Sequence, residues 1–324
     1  MWSDYITVKQ QDTWGAYINE IDAEAAIVEQ GSTYAALLNH LTVIEVSGEE
    51  AATFLQGQLT CDINLINERQ AKLGAHCNQK GRAQATFVCG KRNDSYFLVL
   101  PSDQETATTK ELAKYALFSK VQISVNHEFL IMGLAGAESK ALEQMLSECA
   151  PGLSLITAQN LISLALIPNT SAQACLDMLQ EHEINLVGDN GWQLGQINAG
   201  VTHITADQSE KWIPQELNYD LIDGISFKKG CYKGQEIIAR IHYRGQTKVR
   251  TYALEISGTE QVHSGDKIIS EAGQGTILAV AKVSERTLKA LCTLKIEASE
   301  SQNLKLEQND ACQIRVLPLP YAIT

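Results

Sequence analysis

Residues 228–250 read KKGCYKGQEIIARIHYRGQTKVR. Seven of them are basic (Lys228, Lys229, Lys233, Arg240, Arg244, Lys248 and Arg250) and Glu236 is the single acid. The segment therefore carries +6 inside a chain of net charge −12. Such a concentration fits a local anionic partner: a phosphate, a polyglutamate chain or an RNA backbone. Charge alone fits a solvated basic face equally well. Cys231 lies between Gly230 and Gly234, which permit a tight loop. Gln235–Ile241 holds helix-forming residues, so the thiol is expected just ahead of a helix N-terminus. There the helix dipole and the neighbouring lysines would favour a thiolate. A lone cysteine is more often a small buried hydrophobe, and the segment by itself does not choose between the two.

Downstream, Lys248–Thr324 has short alternating strands divided by Gly258, Gly265, Gly273 and Gly275. Helical periodicity is weak there, and the tail reads as a small C-terminal β-barrel. Upstream, Leu41–Val46 reads as a strand. Ser47–Glu50 and Ser102–Glu105 each have the pattern of a capping box opening a helix. The first helix would run through Phe54 and Leu55 to Gly57, and the second would carry Leu112, Tyr115, Ala116 and Phe118. Between them Lys72–Leu100 reads as a β-meander broken at Gln79–Gly81 and Lys91–Asp94. From Val121 to Asp189, strand-like runs (Val121–Val125, Phe129–Leu134, Leu161–Ile167) alternate with helical ones (Ala137–Cys149, Ala172–Glu181). The class is α+β, with a body over residues 1–245 and the barrel over 246–324.

The 324 residues suit about two domains, and 44% hydrophobic residues supply a core. A net charge of −12 makes the average surface repel nucleic acid and anionic membrane, so any contact with either is local. Met1–Gln10 lacks a basic stretch followed by an apolar run, and no secretory signal is expected. Nor is there an apolar run long enough for a membrane span. The eight cysteines are scattered without a CxxC pair, which fits free thiols in a cytoplasmic protein. No HExxH, Walker A, GxGxxG or GxSxG pattern occurs, and the seven histidines show no ligand spacing, so no metal site is expected. His242, two residues from both Arg240 and Arg244, reads as a surface histidine.

The run Lys229-Gly-Cys-Tyr-Lys-Gly-Gln-Glu236 resembles, position for position, the KGCYxGQE signature of the YgfZ family. Further matches are spread along the chain: Phe54–Thr60 with Asp62, Ala75-His-Cys77 with Lys80-Gly81, Lys114-Tyr115 with Phe118–Val121, and Ile213–Gln215. Gly224–Lys229 and the ending Pro318–Tyr321 also fit. The resemblance implies a fold similar to the aminomethyltransferase (T protein) of the glycine cleavage system: a folate-binding α+β body of interleaved subdomains closed by a C-terminal β-barrel. It implies binding of tetrahydrofolate or a derivative, polyglutamylated forms included. It also implies a role in tRNA methylthiolation and in assembly or repair of iron–sulfur proteins, with Cys231 as the reactive thiol. Partners would include iron–sulfur enzymes such as tRNA methylthiotransferases.

For the folate, the resemblance points to Trp192, whose planar ring can stack on a pterin or aminobenzoate. A core tryptophan on a helix surface fits the residue equally well. The family's second tryptophan falls at Leu41. The acid expected near the pterin falls at Asn198, which can donate and accept but carries no charge. The T proteins also use an aspartate after a glycine-rich hairpin. Ala85 and Thr86 stand there, and neither exchanges a proton near neutral pH. The likeness therefore does not extend to aminomethyl transfer. Two other readings stay open at this level: a folate-dependent one-carbon transferase with Cys231 as nucleophile, and a module that contacts tRNA directly through the basic segment.

Overall fold

The computed structural model describes residues 1–324 except 7–9, 13–14, 159–161, 260, 301–302, 310 and 324. The chain opens with β1 (Gln10–Asp12), β2 (Gly15–Tyr17), α1 (Ile21–Glu29) and β3 (Tyr34–Leu38). Next come β4 (Leu41–Ser47), α2 (Ala51–Gln58), β5 (Lys72–Cys77), β6 (Ala83–Arg92), β7 (Ser95–Pro101), α3 (Glu105–Ala116) and β8 (Gln122–Val125). The next stretch holds β9 (Phe129–Ala135), α4 (Ser139–Cys149), β10 (Ser154–Ala158), β11 (Ile162–Pro168), α5 (Ala172–Glu181), β12 (Asn185–Val187), α6 (Asp189–Ala199) and α7 (Gln235–Arg244). The last third forms β13 (Val249–Ser257), β14 (Lys267–Ser270), β15 (Gly273–Ser284), β16 (Thr287–Lys295), α8 (Ile296–Ser299), β17 (Lys305–Leu306) and β18 (Gln313–Leu317).

Two five-stranded sheets are interleaved. One has the order β10-β11-β9-β3-β12, the other β5-β6-β7-β4-β8. The chain lays down β3, leaves to build the whole second sheet, and returns with β9. Both sheets are antiparallel apart from β12, which runs parallel to β3. The third sheet, β17-β14-β15-β16-β13-β18, is antiparallel and curls into a half-barrel. Its terminal strands β17 and β18 do not pair with each other, so the expected barrel is open among the described residues.

Period-two alternation explains the long apolar runs. In β6 and β7, Val88, Phe97 and Val99 join the central core. Phe87, Cys89, Leu98 and Leu100 point the other way, into a core with Phe54 and Leu55 of α2 and Leu112 of α3. In β11, Ile162, Leu164 and Leu166 face the centre, and Ala165 and Ile167 face α4 and α5. With both faces buried, such strands lose the apolar–polar alternation of a surface strand. The central core also takes Trp192, Leu194 and Ile197 of α6 and Leu278, Ala281 and Leu291 of the half-barrel.

Neither expected capping box forms. Ser47 is the last residue of β4, and α2 has Glu50 at its N-cap with no side-chain cap. Glu50 instead accepts the Lys120 N–H at 2.6 Å, and Glu49 pairs with the Lys120 ammonium at 2.7 Å. At the second box, Ser102–Gln104 forms a 3-10 turn ahead of α3. Glu105 accepts the Thr42 hydroxyl at 2.8 Å. In both places a partner distant in sequence outcompetes the local cap. The observed strand β11 begins at Ile162; Leu161 and Thr324, which bounded two expected segments, lie outside the described residues.

Candidate functional site

Trp192 and Cys231 belong to two separate regions. Trp192 sits in the first turn of α6 and is 5% exposed. Its ring packs against Gly133 of β9, where a Cβ would come within 2.4 Å of the indole. Glycine is required there for the helix to reach the sheet. The ring forms part of a cavity of about 220 Å³ whose apolar walls include Leu41, Val99, Ile162 and Leu164.

Polar groups cluster at one side of this cavity. The His40 ring Nδ1 lies 2.6 Å from the Asp189 carboxylate at the start of α6. His203 is held neutral: burial, then the nearby His40, lowers it to about 4. Gln196, one helical turn beyond Trp192, also lines the cavity, and its buried Oε1 has no hydrogen-bond partner. The helix explains the set, since Asp189, Trp192, Gln193 and Gln196 recur at spacings of three to four on one face.

Asn198 does not line the cavity. It follows Trp192 by six positions, about 240° around a helix of roughly 3.6 residues per turn. Its amide donates to Glu29 at 3.0 Å and accepts from Lys289 at 3.1 Å. Thr86 is fully buried, and its hydroxyl accepts the Ile204 N–H at 2.9 Å. Ala85 points into the core beneath α2 and α3. No sequence motif marks His40, Asp189, His203 or Gln196. The glycines at 191 and 195 mask the helical pattern that would have aligned Gln196 with Trp192.

Cys231 is exposed, on the loop that leads into α7. Its neighbours are anchored on both sides. The buried Lys229 ammonium donates to the carbonyls of Leu59 (2.8 Å) and Cys61 (2.7 Å) just past the end of α2. Burial lowers Lys229 to about 8. Tyr232 is buried, and the Lys233 N–H donates to the Gly57 carbonyl at 3.1 Å. The Lys233 ammonium turns back over the Tyr115 ring and donates to Gln84. Gly234, at φ +82°, caps α7 and packs on the Asn78–Gly81 turn, where a Cβ would lie 2.5 Å from the Asn78 carbonyl. Lys229 and Tyr232 thus bury inward while Gly230 and Cys231 face out.

The basic segment is not one basic face. Lys229, Lys233 and Arg250 turn inward. Arg250 makes a two-pronged ion pair with Asp220 at 2.6 and 3.0 Å and reaches the Gln215 carbonyl. Lys228, Arg240, Arg244 and Lys248 are exposed, as are Glu236 and His242. The His242 ring stacks on Phe227 with centroids 3.6 Å apart. Gln235 is partly buried at the start of α7. Cys231 is not among the residues lining the Trp192 cavity. Among the described residues, no cluster of His, Cys, Asp and Glu could hold a metal ion, and no helix is long and apolar enough to cross a membrane.

No family model matches the sequence. The chain is similar in fold to the glycine cleavage system aminomethyltransferase T of Bartonella henselae. The TM-score is 0.70 over 98% of this chain and 95% of that one, at 15% identity, which is a likeness of fold. Over 268 residues it is 31% identical to a protein of Colwellia psychrerythraea strain 34H named tRNA-modifying protein YgfZ. The match covers 78% of this chain and 83% of the relative. That identity, sustained across most of both chains, makes this chain a member of the YgfZ family.

Proposed function

We propose that the protein is a folate-binding accessory factor in the cytoplasm. In this reading it supports tRNA methylthiolation and the assembly or repair of iron–sulfur proteins, and Cys231 is its working thiol. The observation that carries the reading is the solvent-facing Cys231, held by buried residues on either side within an aminomethyltransferase-like fold. The relative of Colwellia psychrerythraea, a tRNA-modifying protein by name, supports the link to tRNA modification.

The Trp192 cavity has the features to take the head of a folate. Its volume of about 220 Å³ lies below the roughly 300–1,000 Å³ of sites that enclose a whole drug-sized ligand. It suits a bicyclic ring whose tail leaves through the mouth. Trp192 offers a stacking surface, and the orphaned Gln196 oxygen can accept from the N–H groups of an aminopyrimidinone. Asn198, already bonded to Glu29 and Lys289, is not part of this proposed site. A folate carries one-carbon units; Thr86, committed to the Ile204 amide, supplies no acid for their transfer.

The test is the level of methylthio-modified adenosine in total tRNA from a strain lacking the protein. Wild type should restore it, and Cys231→Ala at equal abundance should not. Restoration by both would remove Cys231 from the function, and restoration by neither would overturn the accessory-factor reading. A direct tRNA contact is a second reading, supported by the four exposed cations Lys228, Arg240, Arg244 and Lys248. It requires tRNA affinity that falls with salt and with Arg240→Ala/Arg244→Ala. No affinity at low salt would end it.

A further inference from the structure

Away from both regions, two thiols meet on the outer face of the first sheet. α4 ends at Cys149 and α5 carries Cys175, and their sulfurs lie 3.7 Å apart. Cys175 is fully buried, whereas Cys149 is partly exposed. Leu142, Leu146, Ala150 and Leu179 of the same core are aliphatic, and besides Cys175 the Cys149 thiol meets the Leu146 carbonyl, to which it donates at 3.5 Å. A disulfide requires about 2.05 Å between sulfurs, and one staggered change in χ1 moves a sulfur further than the remaining gap.

We propose that Cys149 and Cys175 are a reversible disulfide-forming pair whose oxidant is a low-molecular-weight disulfide of the glutathione type. The accessible Cys149 acts first. It gives its proton to solvent, and its sulfur attacks one sulfur of the small disulfide. A mixed disulfide forms on Cys149, and one thiolate leaves and takes up a proton. Cys175 then loses its proton and attacks the Cys149 sulfur. The protein disulfide forms, and the second small thiolate leaves and is protonated. Two protein thiols are oxidised and one small disulfide is reduced to two thiols. Burial, and then the adjacent Cys149, raises the Cys175 thiol, which fits Cys149 as the first of the two to react. The bridge joins positions 26 apart and staples α4 to α5.

The experiment uses the full chain carrying Cys231→Ser, so that the other exposed thiol is silent. It is incubated with oxidised glutathione, alkylated, digested without reduction and mapped by mass spectrometry. The expected result is loss of two alkylatable thiols and a linked peptide pair containing Cys149 and Cys175. Melting temperature should rise by several degrees and fall back on reduction. Adding Cys175→Ala should stop the reaction at one glutathionyl adduct on Cys149. Should that variant not fold, Cys149→Ser replaces it, and Cys175 must then stay unoxidised. A lasting adduct on Cys149 while Cys175 is present overturns the proposal. So does a Cys149 that never reacts, or oxidation of Cys175 in the Cys149→Ser chain.

Discussion

The amide oxygen of Gln196 is buried beside Trp192 with no hydrogen-bond partner. An unmade bond at a buried acceptor is unfavourable until a donor arrives, which gives the cavity a built-in preference for an N–H edge. Gln196→Leu should therefore weaken tetrahydrofolate binding about fivefold. Trp192→Ala should weaken it by more than about tenfold through loss of the stacking surface. Asn198→Ala, on another face of α6, should leave binding unchanged. Calorimetry on the three variants checks the assignment, and a large loss with Asn198→Ala alone would reverse it. At the other region, Cys231→Ala removes one exposed sulfur. Its melting temperature should match wild type, and a marked drop would mean that the sulfur is packed.

At the scale of elements, the loop before α7 depends on Lys229. Its ammonium is the donor for the Leu59 and Cys61 carbonyls beyond α2, so it ties the two helices' ends together. Lys229→Met keeps the stem's packing but leaves both carbonyls unpaired. We expect a loss of about 2 kcal/mol in urea unfolding. Gly234→Ala meets both a left-handed backbone and the Asn78 carbonyl, and should destabilise the same junction. Here the sequence was informative about position but not direction. The lysines and glycines mark a tight loop ahead of a helix, and α7 does begin at Gln235. Which lysines face solvent depends on carbonyls 168 and 170 residues away.

For the whole molecule, the half-barrel is joined to the rest by buried polar clamps. The Asn190 amide exchanges two hydrogen bonds with the Lys282 backbone, and Arg250 pairs with Asp220. Asp220→Ala leaves a buried guanidinium without its carboxylate and should cost about 3–5 kcal/mol. A shift in the urea midpoint measures it. The pH range of stability is bounded on both sides. His76 is fully buried and lowered to about 3 by burial. The unfolded chain protonates this histidine first, so stability is complete above about pH 6.5 and declines as pH falls toward the folded value. Cys61 and Cys77 are raised to about 12 by burial. Their thiols ionise first in the unfolded chain, so stability declines as pH rises above about 8.5. Urea midpoints across pH should trace a plateau between these limits, and a midpoint that keeps rising past pH 9 would contradict the buried-thiol side. What the sequence by itself determined was local: the meander from Lys72, the strand-rich tail, the helix after Cys231 and the signature around that thiol. These are written in periodicity, turn residues and contiguous motif. The tertiary structure alone decided the interleaving of the two sheets, the displacement of both capping boxes, the inward turn of Lys229, Lys233 and Arg250, and the placement of Gln196, not Asn198, in the wall of the Trp192 cavity. Each of these depends on a helical phase or on a partner brought close only by folding, and spacing along the chain does not encode which distant carbonyl or carboxylate will be met.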